Sequence, residues 1–488
     1  MSRFDFQLND PGLLREDCFI DGAWLAANGD ERLDVANPAT GAVIASVPLA
    51  GADETRRAIQ AADRALPAWK AKSAAERGAI LRAWHNLMLQ HDSDLARIMT
   101  LEQGKPYAEA KAEITYAASY IDWYAEEGKR ADGEILPSPW SGSRLLVLKQ
   151  AVGVCAAITP WNFPAAMITR KVAPALAAGC TMVLKPAELT PLSALALAEL
   201  AHRAGVPAGV FNVVTGDPKA IGAELSSNPV VRKLSFTGST AVGRLLMAQC
   251  AGTVKKLSLE LGGNAPFIVF DDADVDAAVA GAIASKFRNA GQTCICSNRF
   301  LVQDGIYEAF AGKLAAAVAT LKVGCGLDAQ TTQGPLINEV ALHKVESLVS
   351  SAIEGGARLL AGGRRVHDTG LWFEPTVLTG VDAGMDIARQ EIFGPVAPLI
   401  RFGTEAEAIA LANDSEFGLA AYLYTRDLAR LWRVAEALET GMVGANTGVI
   451  STAVAPFGGI KNSGLGREGS RHGLDEYLEL KYLAVGGL

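Results

Sequence analysis

From residue 151 onward, short apolar runs alternate with longer amphipathic segments. The runs have the length of buried strands, about four to eight residues, and the segments between them have the spacing of helices. This alternation predicts a parallel sheet covered on both faces, a doubly wound α/β architecture of the nucleotide-binding type. The predicted strands are "VGVCAAI" (152–158), "TMVLK" (181–185), "GVFNVVTG" (209–216), "RKLSFTG" (232–238) and "KKLSLELGG" (255–263), and the predicted helices are 163–179, 192–205, 219–227 and 239–252.

A second series of elements follows this first sheet. "APFIVF" (265–270) and "NRFLVQ" (298–303) are predicted strands, and residues 272–291 are a predicted helix with an acidic first turn. Cys294 and Cys296 therefore fall in a short loop between a helix and a strand. Loops on a rigid scaffold often hold the reactive groups of a protein.

The two ends of the chain have a different pattern. Residues 1–130 are predicted to be mostly helical, and residues 135–152 to form a projecting hairpin with a Pro/Gly/Ser turn. The C-terminal segment 477–488 is predicted to be a strand with no partner in its own neighbourhood. Because unpaired strand edges pair with other strands, the hairpin and the final strand predict contacts between subunits.

Composition narrows the class of protein. The chain has 488 residues, half of them hydrophobic, which is enough for about two to four domains. A formal charge of −8 argues against a nucleic-acid partner, since proteins that bind nucleic acid present basic surfaces. No apolar run is long enough to span a membrane, and the N-terminal residues lack the apolar stretch of a signal peptide. We therefore expect a soluble cytoplasmic protein with neither nucleic acid nor membrane as a partner.

The cysteines and histidines argue against two kinds of site. The seven cysteines are an odd number scattered through the chain, which is not the pattern of a secreted disulfide framework. The six histidines never fall at metal-ligand spacing beside a cysteine or a carboxylate. A single Cys-x-Cys pair is a poor zinc site, because structural zinc requires about four ligands. We expect no metal centre.

Cys294 is the candidate nucleophile. A thiol with an ordinary pKa of about 8.5 needs nearby dipoles or positive charge to be substantially ionised at neutral pH. Gly291 and Gln292 precede it, and a glycine at this place allows a close approach of the backbone. The alternative is a buried, inert cysteine, which is the commoner case.

Asn162 and Glu260 are candidates for two polar roles in catalysis. Asn162 lies in "TPWNFP" (159–164), at the carboxyl end of the first predicted strand, where ligands bind in open α/β sheets. Its amide is able to stabilise a developing oxyanion, or alternatively to cap the helix before Pro164. Glu260 ends a buried apolar strand, where its pKa would be raised as a general base requires, and the alternative is a structural salt bridge.

Two further stretches have the chemistry of a dinucleotide site. "LKPAEL" (184–189) ends the second predicted strand with Lys185 and Glu188, and an acid at this place binds ribose hydroxyls and repels a 2′-phosphate. The alternative is that both are solvent-facing charges. "FTGSTAVG" (236–243) joins a strand to a helix, so that backbone N–H groups and the helix dipole are able to hold a pyrophosphate, although it is not the G-x-G-x-x-G fingerprint.

Together these stretches resemble the aldehyde dehydrogenase superfamily. The shared motifs occur in the order and spacing of the family, and the match runs from about residue 21 to the C-terminus, nearly the whole chain. The resemblance is closest to the succinate-semialdehyde dehydrogenase branch, to which glutarate-semialdehyde dehydrogenases are close, and this branch shares "AMITRK" (166–171), "ISTAVAPFGG" (450–459) and the Cys-x-Cys pair. The family motifs are "ITPWNFP", "LKPAELTP", "FTGSTAVG", "LELGGNAP", "GQTC", "EIFGPV" and "PFGGIKNSGLGREG".

The resemblance implies a role for each matching residue. Cys294 would be the nucleophile, Glu260 the base that activates water, and Asn162 with the Cys294 N–H the oxyanion hole. The residues that it implies for the cofactor are Trp161, Lys185, Pro186, Glu188, Gly238, Ser239, Gly243, Leu261, Glu391 and Phe393. The residues that it implies for a distal carboxylate of the substrate are Arg170, Arg288 and Ser451, with the alternative that either arginine pairs with a surface acid.

The resemblance also implies the reaction. A small ω-semialdehyde acid, succinic or glutaric semialdehyde, would be oxidised to the dicarboxylic acid through a thiohemiacetal and a thioester on Cys294. Glu188 favours NAD as the cofactor, with NADP as the other candidate.

The family's architecture divides the chain into three parts. A five-stranded Rossmann-variant domain that binds NAD(P) would comprise residues 1–133 and 153–260, and an α/β catalytic domain residues 261–455. A small β element, residues 134–152 and 474–488, would join subunits into a homodimer or homotetramer.

Two other classes of function use the same thiol. A cysteine hydrolase or acyltransferase would need a base, and no histidine lies near Cys294 in the sequence. A non-catalytic thiol redox sensor is the other alternative. Cys296 is not needed for turnover, and we expect it either to form a reversible, silencing disulfide with Cys294 or to pack as a small apolar residue.

Overall fold

The structure is a computed structural model that describes residues 6–27, 29, 31–366 and 370–488. Residues 1–5, which the sequence assigns to the cofactor domain, lie outside the described residues. The strands are β1 (Cys18–Ile20), β2 (Ala23–Leu25), β3 (Arg32–Ala36), β4 (Val43–Pro48), β5 (Glu134–Leu136), β6 (Arg144–Ala151), β7 (Val154–Ile158), β8 (Thr181–Lys185), β9 (Phe211–Val213), β10 (Val231–Thr237), β11 (Lys256–Glu260), β12 (Ala265–Val269), β13 (Ser297–Gln303), β14 (Arg358–Ala361), β15 (Thr376–Thr379), β16 (Val396–Phe402), β17 (Phe417–Gly418), β18 (Ala420–Tyr424), β19 (Met442–Ala445), β20 (Ile460–Lys461), β21 (Gly464–Leu465) and β22 (Leu478–Val485).

Helices connect and cover these strands. The α-helices are α1 (Ala52–Ala71), α2 (Ala74–Gln90), α3 (Asp92–Gln103), α4 (Tyr107–Glu127), α5 (Ala166–Ala178), α6 (Pro191–Arg203), α7 (Pro218–Ser227), α8 (Thr240–Ala251), α9 (Val275–Lys286), α10 (Tyr307–Val318), α11 (Glu339–Glu354), α12 (Asp386–Arg389), α13 (Glu405–Asn413), α14 (Leu428–Ala437) and α15 (Ser470–Asp475). Short 3₁₀ turns cover Pro11–Leu13, Gly128–Arg130, Arg288–Gly291 and Asp304–Ile306.

The first sheet has eight strands in the order β2-β1-β9-β8-β7-β10-β11-β21. Its five central strands, from β9 to β11, are all parallel and form the predicted Rossmann variant. Strands β7 and β8 are buried along nearly their whole length, because helices cover both faces, as their continuous apolar runs predict. Short antiparallel strands extend the sheet at both edges. The predicted fold class is therefore confirmed.

Helices pack on opposite faces of this sheet. On one face, Leu176 of α5 and Leu195 of α6 lie in a core with Leu184 of β8. On the other face, Leu225 of α7 and Leu246 of α8 lie in a second core with neighbouring strand residues. The alternate side chains of each strand therefore enter different cores, which fixes the strand register.

The N-terminal region is only partly helical, so the prediction for residues 1–130 was wrong at its start. Strands β1–β4 precede α1, and the helical region comprises α1–α4. Strand β1 has three residues, and its Phe19 pairs with Val213 of β9, far along the chain. A strand of three residues is too short to show a period, so its position depends on a long-range pairing that the local sequence does not encode.

The second sheet has seven strands in the order β14-β15-β16-β13-β12-β18-β19. All neighbours except β14 and β15 are parallel. Its core is aromatic, with the ring of Phe267 lying 5.1 Å from that of Phe300 and 5.0 Å from that of Tyr424 between centroids. The strands predicted at 265–270 and 298–303 are β12 and β13.

The helix predicted over 272–291 ends earlier than expected. α9 begins after Asp274, whose side chain caps it, and ends at Lys286. Asn289 and Ala290 both have a φ of 52°, in the left-handed region that residues other than glycine avoid. These two residues interrupt the helix, and Cys294 and Cys296 lie in the predicted loop beyond them.

The C-terminal strand has a partner in its own chain, which corrects the expectation of an unpaired strand. All eight residues of β22 pair antiparallel with β6, and β5 pairs with the other side of β6. Because β6 and β22 are far apart in the sequence, the local sequence pattern does not indicate this pairing. The edges of this three-stranded sheet are β5 and β22, and they expose Ile135, Leu480 and Tyr482.

The described part of the chain has neither a membrane-spanning helix nor a cluster of side chains arranged to hold a metal ion. No helix there is long and apolar enough to cross a membrane. The same residues contain no cluster of three or more His, Cys, Asp or Glu side chains arranged to hold a metal ion. The predicted domain boundaries stay a prediction.

Candidate active site

One cavity of about 450 Å³ lies between the carboxyl ends of the strands of the first sheet and the second sheet. Asn162 follows β7, and Gly238 and Ser239 follow β10. Ligands of open α/β sheets bind at this place, outside the carboxyl ends of the strands. The residues predicted from the sequence that line this cavity are Trp161, Asn162, Arg170, Gly238, Ser239, Leu261, Arg288, Cys294, Glu391, Phe393 and Ser451. Those that lie outside its lining are Lys185, Pro186, Glu188, Gly243, Glu260 and Cys296.

Cys294 lies in the nucleophile loop, which we define as residues 288–296. Gly291 has a φ of 73°, and a Cβ there would lie 2.1 Å from the carbonyl oxygen of Gly394, so only glycine fits. The side chain of Gln292 fixes the loop further, because its Oε1 accepts the N–H of Ile337 at 3.0 Å and its Nε2 donates to the carbonyl of Asn289 at 3.2 Å. Gly291 and Gln292 therefore hold the shape of the loop that presents the thiol.

The thiol of Cys294 is half-buried and faces the cavity. Burial raises the pKa of Cys294 to about 12, although the positive charge of Arg170 acts in the opposite direction. The side chain is therefore a neutral thiol at rest. Additional positive charge or a base has to act on it before it attacks a carbonyl carbon.

Asn162 is joined to the nucleophile loop. Its side-chain amide donates to the carbonyl oxygen of Gln292 at 3.0 Å, and the residue is buried. The alternative role as a helix cap is wrong, since α5 begins at Ala166 and the capping residue is Ala165. The amide and the thiol line the same cavity, as an oxyanion hole beside a nucleophile requires.

Glu260 is the last residue of β11 and is buried. Among the described residues, neither of its carboxyl oxygens has a hydrogen-bond partner, so the alternative of a structural salt bridge is not realised. Burial and the negative charge of Glu468 raise the pKa of Glu260 well above its ordinary value, against the positive charges of Arg170 and Lys171. A carboxyl with a raised pKa gives up its proton less readily than an ordinary glutamate, and it has to be ionised before it acts as a base.

Arg170 was expected to bind a distal carboxylate of the substrate, but its guanidinium already pairs with an acid of the protein. Its Nε donates to Glu468 at 2.5 Å, and Lys171 pairs with the other oxygen of the same carboxylate. Glu468 is buried, so the alternative of a surface acid is also wrong. The Nη2 of Arg170 is buried without a partner among the described residues, and the guanidinium carbon lies 4.1 Å from the centre of the Phe457 ring. One nitrogen is therefore available to a ligand in the cavity.

Arg288 and Ser451 line the same cavity and are both partly exposed. The guanidinium carbon of Arg288 lies 5.2 Å from the centre of the Phe163 ring. Within the described chain Arg288 makes no ion pair with an acidic side chain. Its charge is therefore free to meet an anionic group that enters the cavity.

The cofactor candidates lie partly outside the cavity lining, at the end of β8 and on α8, and partly within it. Lys185 is buried at the end of β8 and pairs with the exposed Glu188 at 2.7 Å. Ser239 caps α8, whose first-turn N–H groups point towards the cavity end that Gly238 lines. A Cβ at Gly243 would lie 2.4 Å from Leu261, so this glycine allows α8 to pack closely there. A dinucleotide phosphate fits this cradle.

Glu391 and Phe393 line the cavity together with Cys294. The Oε1 of Glu391 accepts the N–H of Gly263 at 3.1 Å, and burial raises the pKa of this carboxyl to about 7. The ring of Phe393 lies 5.6 Å from that of Trp161, edge to face. The arrangement offers an acceptor for ribose hydroxyls and a flat apolar wall for a nicotinamide ring.

Cys296 points away from the cavity. Its Sγ donates to the carbonyl of Gly291 at 3.3 Å and lies 3.7 Å from the Nζ of Lys286, and both side chains are buried. Cys294 and Cys296 are both free thiols. A Cys294–Cys296 disulfide stays a prediction, and to form it Cys296 would have to leave Lys286 and Gly291.

The sequence analysis missed two residues of the site. Glu468 and Lys171 form the charged cluster with Arg170 beneath Glu260. Both stand in quoted motifs, "GLGREG" and "AMITRK", but neither motif indicates a buried pairing. Only the long-range packing of α5 against the segment before α15 brings them together.

The comparisons with known proteins agree with this geometry. The chain matches the family described as the aldehyde dehydrogenase family over residues 24–483. It is 65% identical over 480 residues to the succinate-semialdehyde dehydrogenase GabD of Escherichia coli (strain K12), whose name specifies NADP(+), with 98% of this chain and 100% of the relative covered. It is 61% identical over 482 residues to a glutarate-semialdehyde dehydrogenase of Pseudomonas aeruginosa, with 99% and 100% covered. The crystal structure of a succinate-semialdehyde dehydrogenase from Burkholderia pseudomallei matches with a TM-score of 0.98 at 64% identity, covering 98% of this chain and 100% of that one.

The resting state of the thiol gives a testable pH dependence. We expect the rate at which iodoacetamide alkylates Cys294 in the cofactor-free protein to rise about tenfold per pH unit between about pH 7 and about pH 10, because the thiolate fraction keeps rising until the pH reaches the pKa. Mass spectrometry of the Cys294 peptide measures this rate, with a short cysteine peptide as the control. A plateau above about pH 9, as for an ordinary thiol, would contradict the raised pKa.

Proposed function

The chain belongs to the aldehyde dehydrogenase family, and from this premise we propose that it oxidises an ω-semialdehyde acid, succinic semialdehyde or glutaric semialdehyde, to the dicarboxylic acid. The observation that carries the proposal is one cavity that holds the thiol of Cys294 together with the guanidinium groups of Arg170 and Arg288. The thiol suits the aldehyde end of such a molecule, and a guanidinium suits its carboxylate end. The names of the two relatives described above support the same class of substrate.

The two arginines contribute differently to carboxylate binding. Arg288 has no acidic partner within the described chain, so its whole guanidinium is available. Arg170 is held by Glu468 through Nε, and its Nη2 has no partner among the described residues. Ser451 adds a hydroxyl to the same wall of the cavity. A carboxylate bound by these groups would hold the substrate chain with its aldehyde towards Cys294.

The chemistry follows from the residue types. The Cys294 thiol first gives up its proton to water, its thiolate then adds to the aldehyde carbon, and the Asn162 amide with the Cys294 N–H stabilises the oxyanion that forms. Bound NAD(P) supplies a hydride acceptor. Glu260 then removes a proton from the water that opens the thioester on Cys294, and the dicarboxylic acid leaves. The residues that would hold the cofactor are Trp161, Lys185, Pro186, Glu188, Gly238, Ser239, Gly243, Leu261, Glu391 and Phe393.

The preferred cofactor in this proposal is NAD. Glu188 is exposed at the end of β8, where its carboxylate would accept hydrogen bonds from the ribose hydroxyls and repel a 2′-phosphate. The relative from Escherichia coli has NADP(+) in its name, so the preference of this chain depends on local residues and has to be measured.

We assign the three-stranded sheet to subunit assembly, as a homodimer or homotetramer. Its strands β5 and β22 expose large apolar side chains along both edges, including Ile135, Leu480 and Tyr482. Large apolar side chains that are exposed in this way often mark an interface. Light scattering of the purified protein measures the number of subunits, and a monomer would contradict the assignment. The cytoplasmic location of the chain stays a prediction.

Two other classes of function give different results in a single assay. The protein is mixed with NAD and succinic semialdehyde, and both the reduced cofactor and the acid are followed. A dehydrogenase forms them in equal amounts. A cysteine hydrolase would release acid only from an ester added to the mixture, without reducing NAD, and a thiol sensor would do neither.

Replacing Glu260 with glutamine separates the two half-reactions. We expect a first-turnover burst of reduced cofactor close to one per active site, followed by steady-state turnover lowered about 10²- to 10⁴-fold, because the amide cannot deprotonate water. Rapid-mixing absorbance measures the burst, and Cys294→Ser, which should give none, is the control. Undiminished steady-state turnover of Glu260→Gln would show that another group is the base.

Replacing Arg288 with alanine tests the carboxylate site. We expect the KM for succinic semialdehyde to rise about 10- to 100-fold, since a charge-assisted hydrogen bond is lost, while the KM for butanal changes less than about threefold. Arg288→Lys, which keeps the charge, should fall between the two proteins. Arg170→Ala should act in the same direction, although it also removes a partner of Glu468. Equal losses on both aldehydes would mean that the arginines serve the fold.

Replacing Glu188 with serine tests the cofactor preference. We expect the ratio of kcat/KM for NADP to kcat/KM for NAD to rise about tenfold or more, because repulsion of the 2′-phosphate is removed. Steady-state kinetics with each cofactor measure the ratio. If the unaltered protein already has the higher kcat/KM with NADP, the proposed role of Glu188 is wrong.

A further inference from the structure

The backbone of Asn162 is fixed by hydrogen bonds from two separate parts of the fold. Its carbonyl oxygen accepts from the Nζ of Lys105 at 2.8 Å and from the Nδ2 of Asn289 at 2.9 Å. Its side-chain amide donates to the carbonyl of Gln292 at 3.0 Å. Asn289 and Gln292 belong to the nucleophile loop, whereas Lys105 precedes α4. The two halves of the oxyanion hole are therefore connected to each other and, through Lys105, to α4.

Lys105 is held in place by a buried acid. The side chains of Lys105 and Glu113 are each only 1% exposed and form an ion pair. The other oxygen of Glu113 accepts the N–H groups of Ala165 at 2.9 Å and of Ala166 at 3.2 Å, at the start of α5. The Nζ of Lys105 also lies 4.1 Å from the centre of the Phe163 ring. One ion pair thus contacts the chain on both sides of the turn that follows Asn162.

Glu109, one helical turn before Glu113, holds the nucleophile loop in the same way. Its Oε2 accepts the N–H of Asn289 at 2.8 Å. Asn289 and Ala290 are the two consecutive residues with left-handed φ values. Such a conformation costs free energy and persists only where surrounding contacts impose it. The bond from Glu109 is one of those contacts, and it directs the Asn289 side chain towards the carbonyl of Asn162.

We propose that α4 positions the oxyanion hole, with Glu109 fixing the nucleophile loop and the Lys105–Glu113 pair fixing the Asn162 turn. The three side chains are positioning residues, since none of them is among the described residues that line the cavity. They act through the backbone by setting the separation between the Asn162 amide and the Cys294 N–H. The proposal rests on the function proposed above, because it requires an oxyanion at this place.

The expected effect follows from the cost of a misplaced donor. Loss of one oxyanion-hole donor lowers kcat about 10²- to 10³-fold, and a displacement of about 1 Å has a cost near the lower end of that range. Withdrawal of the acceptor for Asn289 N–H should therefore slow formation of the thiohemiacetal about 10- to 100-fold. The KM of an uncharged aldehyde should change little, because no contact with the substrate is lost.

Charge is the competing explanation for any effect at Glu109. The carboxylate also interacts electrostatically with Lys105 and Arg288, and with the like charge of Glu113. Two substitutions separate position from charge. Glu109→Gln keeps the reach of the acceptor oxygen and removes the charge, whereas Glu109→Asp keeps the charge and withdraws the oxygen by one methylene. Glu126→Ala, at the exposed end of the same helix, is the matched control.

The experiment measures the first turnover of reduced cofactor by rapid mixing, with NAD and either succinic semialdehyde or butanal. We expect Glu109→Asp to be about 10- to 100-fold slower than the unaltered protein with both aldehydes, and Glu109→Gln and Glu126→Ala to stay within about threefold. Alkylation of Cys294 by iodoacetamide, which needs no oxyanion hole, should be unchanged in all of them and reports that the thiol is still accessible and reactive.

Three results would overturn the proposal. One is a first turnover of Glu109→Asp at the unaltered rate. Another is a slow Glu109→Gln beside a fast Glu109→Asp, which would show that charge is what matters. The third is an effect confined to the KM of succinic semialdehyde, which would place Glu109 with Arg288 in substrate binding. If the unaltered protein itself oxidises no aldehyde, the proposed function fails instead.

Discussion

The burial of Glu260 is the constraint on which the rest of the site depends. Its carboxyl lies at the end of β11 with no hydrogen-bond partner among the described residues, so the ionised form is costly. The nearby charges of Arg170 and Lys171 lower this cost, while that of Glu468 raises it. A buried cluster of two cations and one anion thus sets how readily the proposed base gives up its proton. The same cluster holds Arg170, so the base and part of the carboxylate site share one set of charges.

Burial disfavours the ionised form of the Cys294 thiol in the same way. Burial raises the pKa of the Cys294 thiol to about 12 and raises that of Glu260 well above its ordinary value, so burial favours the neutral form of both groups. A neutral thiol avoids the penalty of an isolated buried charge, and it is also protected from oxidation, which requires the thiolate. Reactivity then depends on what enters the cavity. The geometry of the oxyanion hole, by contrast, is set in advance, because the hydrogen bonds that fix Asn162 involve only groups of the protein.

Sequence reasoning reached the parts of the fold that are local and failed where long-range contacts decide. The strand 181–185 and the helix that became α5 follow from apolar runs and a glycine at 179, which caps the helix with a left-handed φ. Strand β1 and the pairing of β22 with β6 were missed, since their partners lie far along the chain. The motifs gave the residues around the cavity, but the pairing of Arg170 with Glu468 and the burial of Cys296 against Lys286 depend on packing between distant segments.

The central claim is that this cavity selects an aldehyde with an acid at its other end. The most direct measurement is kcat/KM of the unaltered protein, with NAD, for succinic semialdehyde, glutaric semialdehyde and butanal. Because two guanidinium groups line the cavity, we expect kcat/KM for at least one semialdehyde acid to exceed kcat/KM for butanal by about tenfold or more. A tenfold ratio corresponds to about 1.4 kcal/mol of transition-state binding. A kcat/KM for butanal equal to or above both values would contradict the account.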